Sequence, residues 1–171
     1  MSNPSDFDAE ALYCTLLEQV RGGLAGVSDA AIVGIHSGGA WLAERLARDL
    51  DLKARLGFID VSFYRDDYAR KGLHPDVKPT HIPFNVDGAT IVLVDDVLFT
   101  GRTTRAAINV LFDYGRPQRI RLAALADRGG RELPVAADFV GTHAELRPGQ
   151  SLSLQKAADG QLSLTIEDDN V

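Results

Sequence analysis

The chain has 171 residues, 45% hydrophobic and 25% charged, with a formal net charge of −6. That is ordinary globular composition, long enough to bury a core as one domain over residues 1–171. The acidic balance argues against indiscriminate binding to nucleic acid or to an anionic membrane. Apolar stretches are short and interrupted by charge, so none is expected to span a bilayer. A single cysteine, Cys14, excludes an intramolecular disulfide framework. Residues 1–10 are polar and acidic and lack a secretory pattern, so the cytoplasm is the expected compartment.

In chain order, Asp6 or Asp8 can cap a first helix reaching about Arg21, with Leu12, Leu16 and Val20 on one face and Gly22-Gly23 ending it. Cys14 falls inside that helix and reads as a small residue without chemistry. Residues 31–35 predict a buried strand, followed by a tight Ser37-Gly38-Gly39 turn. Residues 40–50 predict a helix with Leu42, Leu46 and Leu50 inward, and residues 56–63 alternate as a strand. The polar stretch 65–83, with Gly72 and three prolines, has neither period. Its length inside a compact domain favours a functional flap.

Residues 91–94 form a continuous apolar run, the pattern of a strand covered on both faces. Residues 103–114 then predict a helix with Ala107, Val110 and Leu111 inward, closed by Gly115 and Pro117. Residues 121–126 read as another strand. Two alternating runs, 151–155 and 161–166, flank Asp159-Gly160 as a hairpin. Strands alternating with helices predict an α/β fold with a mainly parallel sheet.

Charge is unevenly distributed along the chain. Between Leu98 and Leu133 there are seven arginines and three acids, a basic island in an acidic protein. The plain reading is a solvated surface, but such an island is also where a small polyanion would bind.

The informative segment is Val92-Leu93-Val94-Asp95-Asp96-Val97-Leu98-Phe99-Thr100-Gly101-Arg102-Thr103-Thr104. It runs from buried strand through two acids and a short loop to a helix start, where ligands sit in open α/β sheets. Thr100 to Thr104 offers successive backbone N–H groups, three hydroxyls and the positive end of a helix dipole, which suit a phosphate monoester. The first helix begins with Asp6, Asp8 and Glu10. The helix after Thr103 has no acid in its first turn, and carries Arg102 and Arg105 instead. A capping box would need Glu or Gln at Ala106 or Ala107. Taken alone, capping by Thr103 or Thr104 is the simpler explanation.

The pair Asp95-Asp96 shifts the balance. Adjacent carboxylates at a buried strand end need partners. Nearby arginines could supply them, and so could the 2′,3′-diol of a ribose. Anions there would also reward a reaction that builds positive charge on the sugar ring. Phosphate site and acids together suit a ribose 5-phosphate. The segment matches neither a Walker loop nor a dinucleotide fingerprint, and the four histidines lack metal-ligand spacing.

Four motifs in order carry a resemblance: Phe63-Tyr64-Arg65-Asp66-Asp67, the run from Val92 to Arg105, Leu111-Phe112-Asp113-Tyr114-Gly115-Arg116-Pro117, and Asp127-Arg128-Gly129-Gly130-Arg131-Glu132-Leu133-Pro134. Together they resemble the PyrR family of bifunctional pyrimidine-operon attenuation regulators and uracil phosphoribosyltransferases, over about residues 32–141. The resemblance implies a type I phosphoribosyltransferase fold: an open, mainly parallel sheet flanked by helices, with a small hood and a flap. The implied reaction is uracil + 5-phosphoribosyl-1-pyrophosphate (PRPP) → UMP + pyrophosphate, with Mg²⁺ held mainly by PRPP.

By position, the resemblance implies that Val97, Leu98, Phe99, Thr100, Gly101, Arg102, Thr103 and Thr104 hold the 5′-phosphate. Asp95 and Asp96 would face the ribose and stabilise an oxocarbenium-like transition state. His36, Ser37, Gly38 and Gly39 would form the pyrophosphate loop, its small residues letting backbone N–H groups approach oxygen. Arg65 and the flap would cover the leaving group. Asp127, Arg128 and Val140 would line the uracil pocket. A homo-oligomer, dimer or higher, is the family expectation.

This chain departs from the family pattern twice. Ser37-Gly38-Gly39 stands where relatives have Thr-Arg-Gly, so an arginine on the pyrophosphate is missing. The first helix, Leu16-Leu17-Glu18-Gln19-Val20-Arg21, and the segment from Gly141 to Arg147 are poor in the basic residues that grip RNA, which weakens RNA attenuation. A non-catalytic nucleotide-sensing regulator and a transferase for a purine base are the competing readings. A PRPP motif alone would not separate uracil from another base.

Overall fold

The computed structural model describes residues 7–62 and 79–169. Its centre is a five-stranded sheet of β1 (Ala30–Ile35), β2 (Leu56–Ile59), β3 (Thr90–Leu98), β4 (Arg119–Asp127) and β5 (Phe139–His143). The strands lie in the order β2-β1-β3-β4-β5, every pair parallel. Central β3 pairs Ala31 with Ile91 on one side and Ile91 with Ile120 on the other. Helices α1 (Ala9–Gly23), α2 (Gly38–Asp49) and α3 (Arg102–Tyr114) surround the sheet. A hairpin of β6 (Gln150–Lys156) and β7 (Leu162–Asp168) forms a separate antiparallel ribbon.

The apolar run in β3 is buried because each face of the sheet has its own core. Val92 and Val94 pack with Leu16 and Val20 of α1, Leu42 and Leu46 of α2, and Leu154 and Leu164 of the hairpin. Ile91 and Leu93 pack on the opposite face with Ala107 and Leu111 of α3. Side chains that alternate along a strand thereby reach two helix layers, as an interior parallel strand requires.

Polar contacts fasten α1, α2 and the hairpin together. Glu10 pairs with Arg45 at 2.6 Å and accepts the Leu162 N–H at 2.8 Å. The Tyr13 hydroxyl donates to Asp49 at 2.6 Å, so this buried ring keeps a partner for its polar end. Burial, then the Asp49 carboxylate, pushes the Tyr13 phenol well above its ordinary pKa.

Several expectations are corrected by this arrangement. The strand starting at Leu56 stops at Ile59, because Asp60 turns back to accept from the Ser62 backbone and hydroxyl. Asp95 and Asp96 lie inside β3, which runs on to Leu98. Strand β5 is an additional edge strand, held along β4 by the Ala124–Val140 register. Leu12, Leu50 and Val110 pack against the cores while staying partly exposed, and Tyr13 takes a further inward position on α1. Residues 65–78 of the expected flap lie outside the described residues. Its described end is tied down: His81 and Phe58 exchange two backbone hydrogen bonds of 2.8 Å beside β2.

Candidate active site

The carboxyl ends of β1, β3 and β4 bring most of the candidate residues to one edge. At the end of β1, His36 is half-buried, donates its backbone N–H to Ile59 at 2.9 Å, and lies 5.4 Å from the Phe58 ring. The His36–Ser37 peptide is cis. Ser37 precedes α2, and its carbonyl accepts from Ala40 and Trp41 at 3.1 and 3.2 Å. Gly38 and Gly39 therefore begin a helix that has no acid in its first turn.

The need for these glycines is decided by β3. A Cβ on Gly39 would run into the Val94 carbonyl, and one on Gly38 into the Asp96 carboxylate. The start of α2 thus presses against the strand that carries the acids. Asp95 is 8% exposed and Asp96 half-buried. Each Oδ1 accepts the N–H of the following residue, at 2.9 Å for Asp95 and 2.8 Å for Asp96.

Beyond Leu98 the chain passes through Phe99 and buried Thr100 to Gly101, the residue that precedes α3. Gly101 has φ 94°, a left-handed conformation that suits glycine, and provides no side-chain cap. Neither Thr103 nor Thr104 caps the helix, which answers the alternative left open by the sequence. The Arg102 N–H is 3.3 Å from the Thr100 hydroxyl. The hydroxyl of Thr104, 1% exposed, is buried without a hydrogen-bond partner among the described residues. The helix start therefore has no acid in its first turn and a buried hydroxyl just inside it.

Asp127 and Arg128 close β4. Burial would raise the Asp127 carboxyl, but the Gly129 N–H and the Arg131 guanidinium outweigh it and hold Asp127 below its ordinary value. His143 approaches the same carboxylate at 4.0 Å from an exposed position on β5. The Arg128 guanidinium covers the Phe99 ring at 3.9 Å and donates to the Gln150 carbonyl at 3.0 Å. Val140 lies two strands from Asp95 at the same level of the sheet, with Ala124 between them. It pairs with Ala124 within the sheet, and its backbone N–H and carbonyl both bond the Gln19 side chain at 2.9 Å. Arg65 lies outside the described residues.

Sequence reasoning missed how the phosphate-type loop is supported. Glu132 and Leu133 both donate backbone N–H groups to the Thr100 carbonyl, at 3.0 and 3.1 Å. Arg102 pairs with Glu132 at 2.6 Å, and Gly130 lies directly against the Phe99 ring. The run from Asp127 to Pro134 was visible as a motif; its contact with residues 98–100, about thirty positions earlier, has no local signature. Among the described residues, concavities of about 400 and about 740 Å³ lie beside the hairpin, lined in part by Glu10 and Gln161 and by Trp41 and Arg48. Neither is lined by the candidate residues at the ends of β1, β3 and β4.

The phosphoribosyl transferase domain family matches residues 9–148. A relative called bifunctional protein PyrR, from Ralstonia nicotianae, is 53% identical over 90% of this chain and 88% of its own length. Among solved structures, a hypoxanthine-guanine phosphoribosyltransferase from Bacillus anthracis superposes with a TM-score of 0.66 at 18% identity, covering 84% of each chain. A purine phosphoribosyltransferase from Pyrococcus horikoshii gives 0.62 at 27% identity, covering 82% of this chain and 85% of that one. The purine enzymes share the fold, whereas the sequence similarity is to bifunctional relatives.

Proposed function

Because the chain belongs to the PyrR family of the phosphoribosyl transferases, we propose that it transfers the 5-phosphoribosyl group of PRPP to uracil, forming UMP and pyrophosphate. The observation that carries this reading is the acid-free start of α3 at the end of the strand bearing Asp95 and Asp96. It combines a place for a phosphate with carboxylates for a ribose.

In this reaction the bond from C1′ to the pyrophosphate oxygen breaks and a bond to uracil N1 forms, while the N1 proton leaves. Positive charge grows on the ribose ring between the two events. Asp95 and Asp96 face that charge, and their backbone-held carboxylates need little reorganisation to stabilise it. Residues 97–104 bind the 5′-phosphate through backbone N–H groups and hydroxyls. His36, Ser37, Gly38 and Gly39 meet the pyrophosphate at the start of α2, where helix polarity compensates for an absent arginine. Arg65 and the flap cover the leaving group and exclude water. Asp127 and Arg128 lie on the uracil side, with Val140 behind them in the sheet.

Mg²⁺ bound to PRPP supplies charge neutralisation on the leaving pyrophosphate. Asp95 and Asp96 offer the hard oxygen donors it prefers, and among the described residues no three acidic, histidine or cysteine side chains converge into a cage. The ion would take its remaining oxygens from PRPP and water.

A regulatory role responsive to UMP or PRPP is the second reading, supported by the word bifunctional in the relatives' names. For RNA binding, the outward side of α1 offers Arg21, paired with Glu18 at 3.4 Å. That is a small cationic contribution to a phosphate backbone. A cytoplasmic homo-oligomer completes the proposal; Phe112 and Tyr114 of α3 are large apolar side chains exposed for such contact.

The test is formation of UMP from radiolabelled uracil, PRPP and Mg²⁺, run beside the Asp95→Asn/Asp96→Asn variant. UMP from the wild type and none from the variant supports the transferase. Wild-type protein that binds PRPP or UMP without turnover overturns it in favour of the sensor.

A further inference from the structure

The Arg131 guanidinium divides its donors among three acceptors. Nε donates to the Val135 carbonyl at 2.8 Å, one terminal nitrogen to the Phe99 carbonyl at 2.5 Å, and the other to the Asp127 carboxylate at 2.5 Å. Phe99 belongs to the phosphate loop, and Asp127 ends the neighbouring strand. A planar fork suits three fixed directions, which a lysine ammonium on a flexible stem does not reproduce.

The consequence for the loop follows from peptide geometry. In a trans peptide the N–H points opposite to the carbonyl. The carbonyls of Leu98, Phe99 and Thr100 all accept from residues 128–133. Their peptide N–H groups, belonging to Phe99, Thr100 and Gly101, are thereby turned to the other side of the loop. At Leu98 and Thr100 backbone donors hold the carbonyl; the Phe99 carbonyl is held by the Arg131 side chain. Arg131 is itself oriented by Asp127, whose side chain is 12% exposed.

Resting on the phosphoribosyl reading above, we propose that Arg131 is a positioning residue that couples the Asp127 carboxylate to the 5′-phosphate loop. It sets the orientation of the Phe99–Thr100 peptide that faces the phosphate. A change at the uracil side of β4 is then felt by the phosphate loop through one guanidinium, without contact between Asp127 and phosphate.

The experiment uses ribose 5-phosphate, a probe with no base, titrated calorimetrically into wild type, Asp127→Asn, Arg131→Gln and the double variant, with thermal melts alongside. Arg131→Gln should weaken binding about tenfold, the scale of one lost charge-assisted hydrogen bond. Asp127→Asn should weaken it by about threefold or more, and the double variant should match Arg131→Gln instead of multiplying the two effects. Arg131→Lys, which keeps the charge, should recover only part of the affinity.

Lowered melting temperatures with ribose 5-phosphate affinity within about twofold of wild type, the scatter expected of independent sites, would make Arg131 purely structural and end the proposal. Multiplying effects would end it as well. If Arg131→Gln does not fold, an unchanged affinity in Asp127→Asn overturns the coupling. Wild-type protein without affinity for ribose 5-phosphate would remove the phosphoribosyl site itself, a result separate from loss of coupling alone.

Discussion

Gly38 lies against Asp96 so closely that a methyl group on Gly38 would overlap the carboxylate, from Cβ to Oδ2. Gly39, one residue on, lies equally close to the Val94 carbonyl oxygen. Two adjacent glycines thus keep α2 seated on the strand that carries the acids.

The two contacts predict different outcomes. Gly38→Ala must displace the Asp96 side chain, so UMP formation should fall by about tenfold or more with a modest stability loss of about 1 kcal/mol. Gly39→Ala meets main chain that cannot swing aside and should cost about 3 kcal/mol, the upper end for overpacking. Initial rates and denaturant melts on both variants check this. Full activity in Gly38→Ala would contradict the role of Asp96.

Thr104→Val replaces a buried hydroxyl that has no partner among the described residues by a methyl group of similar size. Removing that unsatisfied group should raise the stability of the ligand-free protein by about 1 kcal/mol. KM for PRPP should rise at the same time if the hydroxyl serves the phosphate. Equal stability and unchanged KM would show that the hydroxyl has no consequence.

Gly101→Ala tests the left-handed turn before α3. The residue has φ 94°, and an added Cβ would lie 3.2 Å from Val135. Strain of about 1–2 kcal/mol is expected from placing an L side chain there. Because the turn presents the phosphate loop, KM for PRPP should rise more than KM for uracil; equal changes would argue for a general loss of structure.

Glu10 predicts a pH dependence. Its hydrogen bond from Arg45 comes first among the influences and, with the Leu162 N–H, holds its carboxyl below the ordinary value of 4.5 despite burial. A depressed folded-state value means that the stabilisation is fully present above the ordinary value. It is lost as pH falls through the folded value. Glu10→Gln should therefore be less stable than wild type near neutral pH, by less than about 1 kcal/mol for a pair partly screened by solvent, with the gap closing as pH falls below 4.5 through the lowered folded value. Urea melts at several pH values measure this; a gap that stays constant in acid would refute the assignment.

What the sequence by itself determined about this protein is local. The apolar run ending in Asp95-Asp96, the acid-free helix start after Gly101, Asp8 as a cap and Asp159-Gly160 as a turn are all short-range patterns. Each depends on backbone conformation or burial within a few residues. The fold class followed because alternating strands and helices leave few ways to cover a parallel sheet.

The tertiary structure decided everything that required distant segments to meet. The alternation of residues 56–63 could not reveal that Asp60 would fold back on Ser62, and β5 became a strand because β4 offered it an edge. Gly38 and Gly39 read as room for a ligand's oxygens, yet their closest neighbours are Asp96 and Val94 of β3. Arg131 was one arginine among seven in a basic stretch until packing placed Phe99 and Asp127 on either side of it. Periodicity and capping are properties of neighbours in the chain, whereas a guanidinium shared between two strand ends exists only once the sheet has assembled.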